Sequence, residues 1–167
     1  MTSSGIQRSR WSHVIATVLL LVLHFYVRPL VWDSRAAPDF LLLALILFAM
    51  QSGPGAGAVA GFIVGLVSDA LTPAHFGAAM LGHTVVGALT AWGRAVFFAD
   101  NSLVTAGFVA VGVWLRNVLV LLASGTTRGE VLDTLVGTGL LQALTTAIAA
   151  LLLLGFFRRF FSVRLDL

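Results

Sequence analysis

The chain has 167 residues, 59% of them hydrophobic and only 10% charged, with a mean hydropathy of +1.00. A soluble domain carries about 25% charged residues, so an ordinary water-soluble fold is excluded, and no length remains for a large extramembrane domain. The net charge of +3 comes from ten arginines, scattered and without a lysine, against seven acids, which gives no basic platform for nucleic acid; the lack of cysteine excludes disulfides and thiolate chemistry.

The hydropathy pattern reads as one all-α domain over residues 1–167, a polytopic membrane protein built as a six-transmembrane-helix bundle. The first span covers residues 13–30, with Trp11 and Trp32 placed as interfacial anchors. No persuasive cleavage site follows, so this run reads as a retained helix rather than a secretory signal. Pro38 and Asp39 open the second span, 38–50, with a good helix start. That span is short, which implies tilt or burial within the bundle. Residues 51–55, Gln-Ser-Gly-Pro-Gly, break it. The third span is 55–71, and the turn after it holds Thr72, Pro73, His75, Phe76 and Gly77. The remaining spans are 78–98, 103–123 and 131–157, the last longer than a bilayer requires. Arg8 and Arg10 precede the first span, and Arg158, Arg159 and Arg164 follow the last. The positive-inside bias then places both termini in the cytoplasm, and the pattern Phe156-Phe157-Arg158-Arg159-Phe160-Phe161 reads as an anchor in membrane lipid.

Within the third span, Gly57, Gly61, Gly65 and Asp69 recur every four residues and share one slowly drifting stripe. Glycines on such a stripe let another helix approach closely, and the acid ends the contact face. Asp69 has three readings: fixing the following loop through Ser68, Thr72 or nearby backbone N–H groups, pairing with Arg116 of the fifth span, or binding a proton or cation. His83 is embedded in the fourth span and suits a hydrogen bond to a neighbouring helix or a backbone carbonyl. Gly82, Gly87, Gly107 and Gly112 suggest further close contacts, and Gln142, Thr145 and Thr146 suggest polar contacts between helices. His75 has no matched nucleophile, and the four histidines are not spaced as a metal site. No phosphate-binding loop, zinc-hydrolase spacing or nucleophile elbow occurs, so no catalytic residue, cofactor or metal is expected.

The run Gly61-Phe62-Ile63-Val64-Gly65-Leu66-Val67-Ser68-Asp69, followed by Pro73 and then Phe76-Gly77, resembles the rod shape-determining protein MreD family. That family shows a Gly-Phe/Leu-x-x-Gly-Leu-x-x-Asp core and a later Leu-Gly, with Phe76 standing here for the usual Leu. Pro38-Asp39-Phe40-Leu41-Leu42 is similar to the family's preceding segment, and the layout extends the resemblance over essentially the whole chain. The resemblance implies a noncatalytic scaffold in the bacterial inner membrane. Its implied partner is MreC, with links to the elongation peptidoglycan synthase and transpeptidase and, indirectly, to actin-like filaments. It also implies that Gly61, Gly65 and Asp69 organise the spans and the outer turn, with Phe76 and Gly77 in that turn and Gly77 at a close approach; Gly57, His83 and Arg116 read from the residues themselves as structural or partner-organising. The family is similar in architecture to the substrate-binding subunits of energy-coupling-factor transporters. That likeness concerns architecture alone; the alternative, a small substrate-binding transporter subunit, rests on His83, Asp69, Arg116 and Gln142 as the lining of a polar pocket.

Overall fold

In hydrocarbon a backbone must satisfy its own hydrogen bonds, and helices do this within one segment. The computed structural model describes residues 15–31, 36–72, 75–94, 101–125 and 128–161, and these form six helices with no strand among them. They are α1 (15–31), α2 (Phe40–Ala49), α3 (Pro54–Leu71), α4 (Ala78–Arg94), α5 (Ser102–Ala123) and α6 (128–161). Among the described residues, three helical stretches are long and apolar enough to cross a membrane: Pro54–Leu71, Ser102–Ala123 and Thr134–Phe156. The anchors expected at Trp11 and Trp32 lie outside the described residues, as do Arg8, Arg10, Arg164, Pro73 and the side chains of Arg158 and Arg159.

Two helices contain wider π-helical turns. In α1 the π segment is Leu23–Val27, just ahead of Pro29, whose ring cannot sit against the carbonyl four residues back in a regular helix. In α6 it is Asp133–Thr138. Gly139 follows directly, where a Cβ would press on the Thr134 carbonyl oxygen.

The ten residues of α2 rise only about 15 Å. Eight of them are buried, on every side of the helix, which is the pattern of a helix enclosed by others. Leu42, Leu43, Ile46 and Met50 join Leu20 of α1, Val86 of α4, Val109 and Val113 of α5 and Leu153 of α6 in one core. The short second span is therefore the centre of the bundle.

α3 and α4 form a close seam. The buried residues of α3 are Gly57, Gly61, Gly65 and Asp69. A Cβ on Gly57 would run into the Gly87 carbonyl oxygen, one on Gly61 into the carbonyl of His83, and one on Gly65 into the Met80 backbone. Close backbone approach supplies van der Waals contact where lipid removes most of the hydrophobic drive. The opposite face of α3 exposes Val59, Phe62, Ile63 and Leu66, an apolar surface suited to acyl chains. Gly112 likewise packs against Ile46, and Gly82 against Arg116 and Val120. Gly107 departs from expectation: its helix face is open, with nothing within 4 Å of a Cβ placed there.

Candidate functional site

The buried polar residues Asp39, Asp69, His83, Asn117, Gln142 and Thr146 gather toward the end of the bundle opposite the start of α1 and the end of α6, while Thr90 and Thr105 lie nearer the other end. Their arrangement follows from two helix N-termini buried there. The first N–H groups of a helix have no partner within it, and inside a bundle they need other acceptors.

At the start of α2, Asp39 is the N-cap, and its Oδ1 accepts from the Leu42 N–H at 3.0 Å. The Leu41 N–H donates to Nδ1 of His24 on α1 at 3.2 Å. The Asp39 N–H donates to the Thr146 hydroxyl of α6 at 3.0 Å, and the Thr145 hydroxyl donates to the Ala36 carbonyl at 2.8 Å. The remaining Asp39 oxygen, Oδ2, accepts from the Arg116 guanidinium of α5. One carboxylate thus joins α2 to α5 while its neighbours tie α2 to α1 and α6. Because Nδ1 of His24 accepts a backbone proton, a neutral ring carries its own proton on Nε2.

At the start of α4, Asp69 plays the capping part from outside the helix. Its carboxylate accepts from the N–H groups of Gly77 (3.0 Å), Ala79 (3.1 Å) and Met80 (2.9 Å). An acid in the last turn of a helix opposes that helix's dipole, but here the N-terminal end of α4 offsets the conflict. Gly77 adopts φ +100°, a conformation that side chains resist. Nothing lies within 4 Å of where its Cβ would be, so the glycine meets a need of the backbone and not the close approach expected at this position. Phe76 beside it is 62% exposed.

The Asp69–Arg116 pair is corrected by this geometry. Arg116 goes to Asp39, and Asp69 is occupied by backbone donors. The physical reason is the shortness of α2: it begins inside the bundle, so its capping acid lies within reach of an arginine partway along α5. Nor does Asp69 bind the hydroxyls of Ser68 and Thr72, which turn back to the carbonyls of Val64 and Ser68.

His83 is buried, and its Nδ1 lies 2.7 Å from the Ala79 carbonyl one turn earlier in α4. Asn117 of α5 donates to Gln142 of α6 across 2.9 Å. Asp69, His83, Arg116 and Gln142 do share one cavity of about 510 Å³, together with His24, Arg28 and Asp39. Gly57, Gly61 and Gly65 do not line it; they form the seam behind Asp69 and His83. From sequence, Asp39 reads only as a helix start, and its central place emerges only from the fold. The available signal was an acid opening an apolar helix too short to reach both bilayer surfaces. Among the described residues, no group of three or more His, Cys, Asp or Glu could hold a metal ion.

The chain matches the family model described as rod shape-determining protein MreD over residues 6–164. Neither curated proteins nor solved structures yield a match.

Proposed function

The chain belongs to the MreD family, and from that premise we propose that it is a noncatalytic scaffold of the bacterial cell-wall elongation machinery. In this reading it lies in the cytoplasmic (inner) membrane with both termini inside, associates with MreC and supports lateral peptidoglycan synthesis. The synthase and transpeptidase are its further partners, and the actin-like filaments are linked to it indirectly. The observation that carries the proposal is the family match across residues 6–164. The structure adds a physical means: the α3–α4 seam and the buried α2 hold the outer helix faces in fixed relation, as a docking platform requires.

Native-membrane pull-down of the tagged chain tests this reading. MreC should be recovered with it, and depletion should round or widen a rod-shaped host. Normal shape together with absent MreC would overturn the scaffold role. One observation favours the transporter alternative, namely the polar cavity that Asp69, His83, Arg116 and Gln142 share. Saturable uptake of a solute, lost on deletion of the chain, would support that second reading.

A further inference from the structure

The polar cavity has an imbalance between its donors and acceptors. Both described carboxylates that line it are engaged: Asp39 by the Leu42 N–H and Arg116, and Asp69 by three N–H groups. The neutral His83 ring, whose Nδ1–H goes to the Ala79 carbonyl, leaves only Nε2 as an acceptor, and the unengaged guanidinium nitrogens are donors. The Nε atoms of Arg28 and Arg116 are buried, and neither has a hydrogen-bond partner among the described residues. Arg116 spends its Nη2 on Asp39 and keeps Nε–H unused. A buried guanidinium donor without an acceptor is costly, and an arriving anion relieves that cost.

We propose that this cavity binds the phosphate group of an anionic ligand, with Arg28 and Arg116 as its principal donors. Phosphate suits the site better than carboxylate because it offers more oxygens to donors arriving from different helices. Guanidinium groups are also its favoured partners, through charge-assisted hydrogen bonds. His24 lines the same cavity, and its Nε2–H tautomer adds a neutral donor. The volume of about 510 Å³ exceeds a bare phosphate and leaves room for what the phosphate is attached to. Arg28 and Gln142 also line a second cavity of about 260 Å³, with Asn117 and Thr138, so the polar surface continues past Arg28. Arg28 stands within one turn of the end of α1, where a lipid headgroup and a dissolved phosphate compound can both arrive.

The test uses the purified full chain in neutral detergent. One arm adds inorganic phosphate against chloride at matched ionic strength. The other adds phosphatidylglycerol to the micelles against dioleoylglycerol, which lacks the phosphate. Binding to the folded state should raise Tm saturably, by about 3 °C or more. A shift in the phosphate arm identifies a soluble source, and a shift confined to phosphatidylglycerol identifies a lipid. Arg28→Gln should abolish the shift. Arg28→Lys keeps the charge but not the guanidinium fork, and should weaken apparent affinity about tenfold. No shift with either probe, an equal shift with chloride and dioleoylglycerol, or an unaltered shift in both Arg28 variants would overturn the proposal.

Discussion

The α3–α4 seam and the junction around α2 solve the same problem by opposite means. Each must hold helices together where lipid gives little hydrophobic drive. The seam uses the absence of side chains: Gly57, Gly61, Gly65 and Gly87 bring two backbones into contact. The junction uses side chains from four helices, with Asp39 receiving Arg116 while His24 and Thr146 satisfy the backbone around it. Each region ends on a buried carboxylate, 6% exposed for Asp39 and 2% for Asp69. Asp69 is satisfied by neutral N–H groups at the N-terminal end of α4, whereas Asp39 meets the Arg116 guanidinium. A seam of backbone tolerates no added volume, and a junction of charges tolerates no missing partner.

The largest effect should come from unbalancing the junction. Arg116→Ala leaves Asp39 buried without its counter-charge and should cost about 3–5 kcal/mol. Reversible unfolding in mixed micelles measures it. Combining it with Asp39→Asn should recover a large part, whereas combining it with Asp69→Asn should recover none. Recovery through Asp69 would break the distinction between the two acids.

Gly61→Val is the next most severe change, because the new side chain meets the His83 carbonyl rather than a movable side chain. Overpacking of this kind costs roughly 1–3 kcal/mol or prevents close docking of α3 on α4. The folded yield on size exclusion, read beside Tm, reports it. Asp69→Ala removes an acceptor from three N–H groups and should cost about 1–2 kcal/mol, with Asp69→Asn milder because one carbonyl oxygen remains. If Asn cost as much as Ala, charge rather than capping would be the contribution of Asp69. Gly107→Ala should be the smallest change, a gain of about 0.5–1 kcal/mol from lower chain entropy, since the position is open. A loss there as large as at Gly61 would show that glycine number, and not the seam, sets stability.

Much of the seam was legible in the sequence because its parts are close along the chain. Four-residue spacing places Gly57, Gly61, Gly65 and Asp69 on one helix face, and the donors to Asp69 lie only eight to eleven residues further on. The short apolar run after Asp39 also pointed to burial within the bundle. Gly77 was legible as a required glycine but not for the right cause, since spacing cannot separate a positive φ from a close contact.

The sequence by itself determined the membrane class, the helical architecture and the glycine face, because composition and periodicity record local demands, and the family followed from its match to residues 6–164. Only the tertiary structure decided which acid Arg116 meets. Asp39 and Arg116 are 77 residues apart, and from sequence Arg116 reads as a partner for Asp69 alone. The choice depended on where α2 begins in depth and on how many N–H groups already surround Asp69. Both are set by the packing of helices against one another, which no single segment encodes.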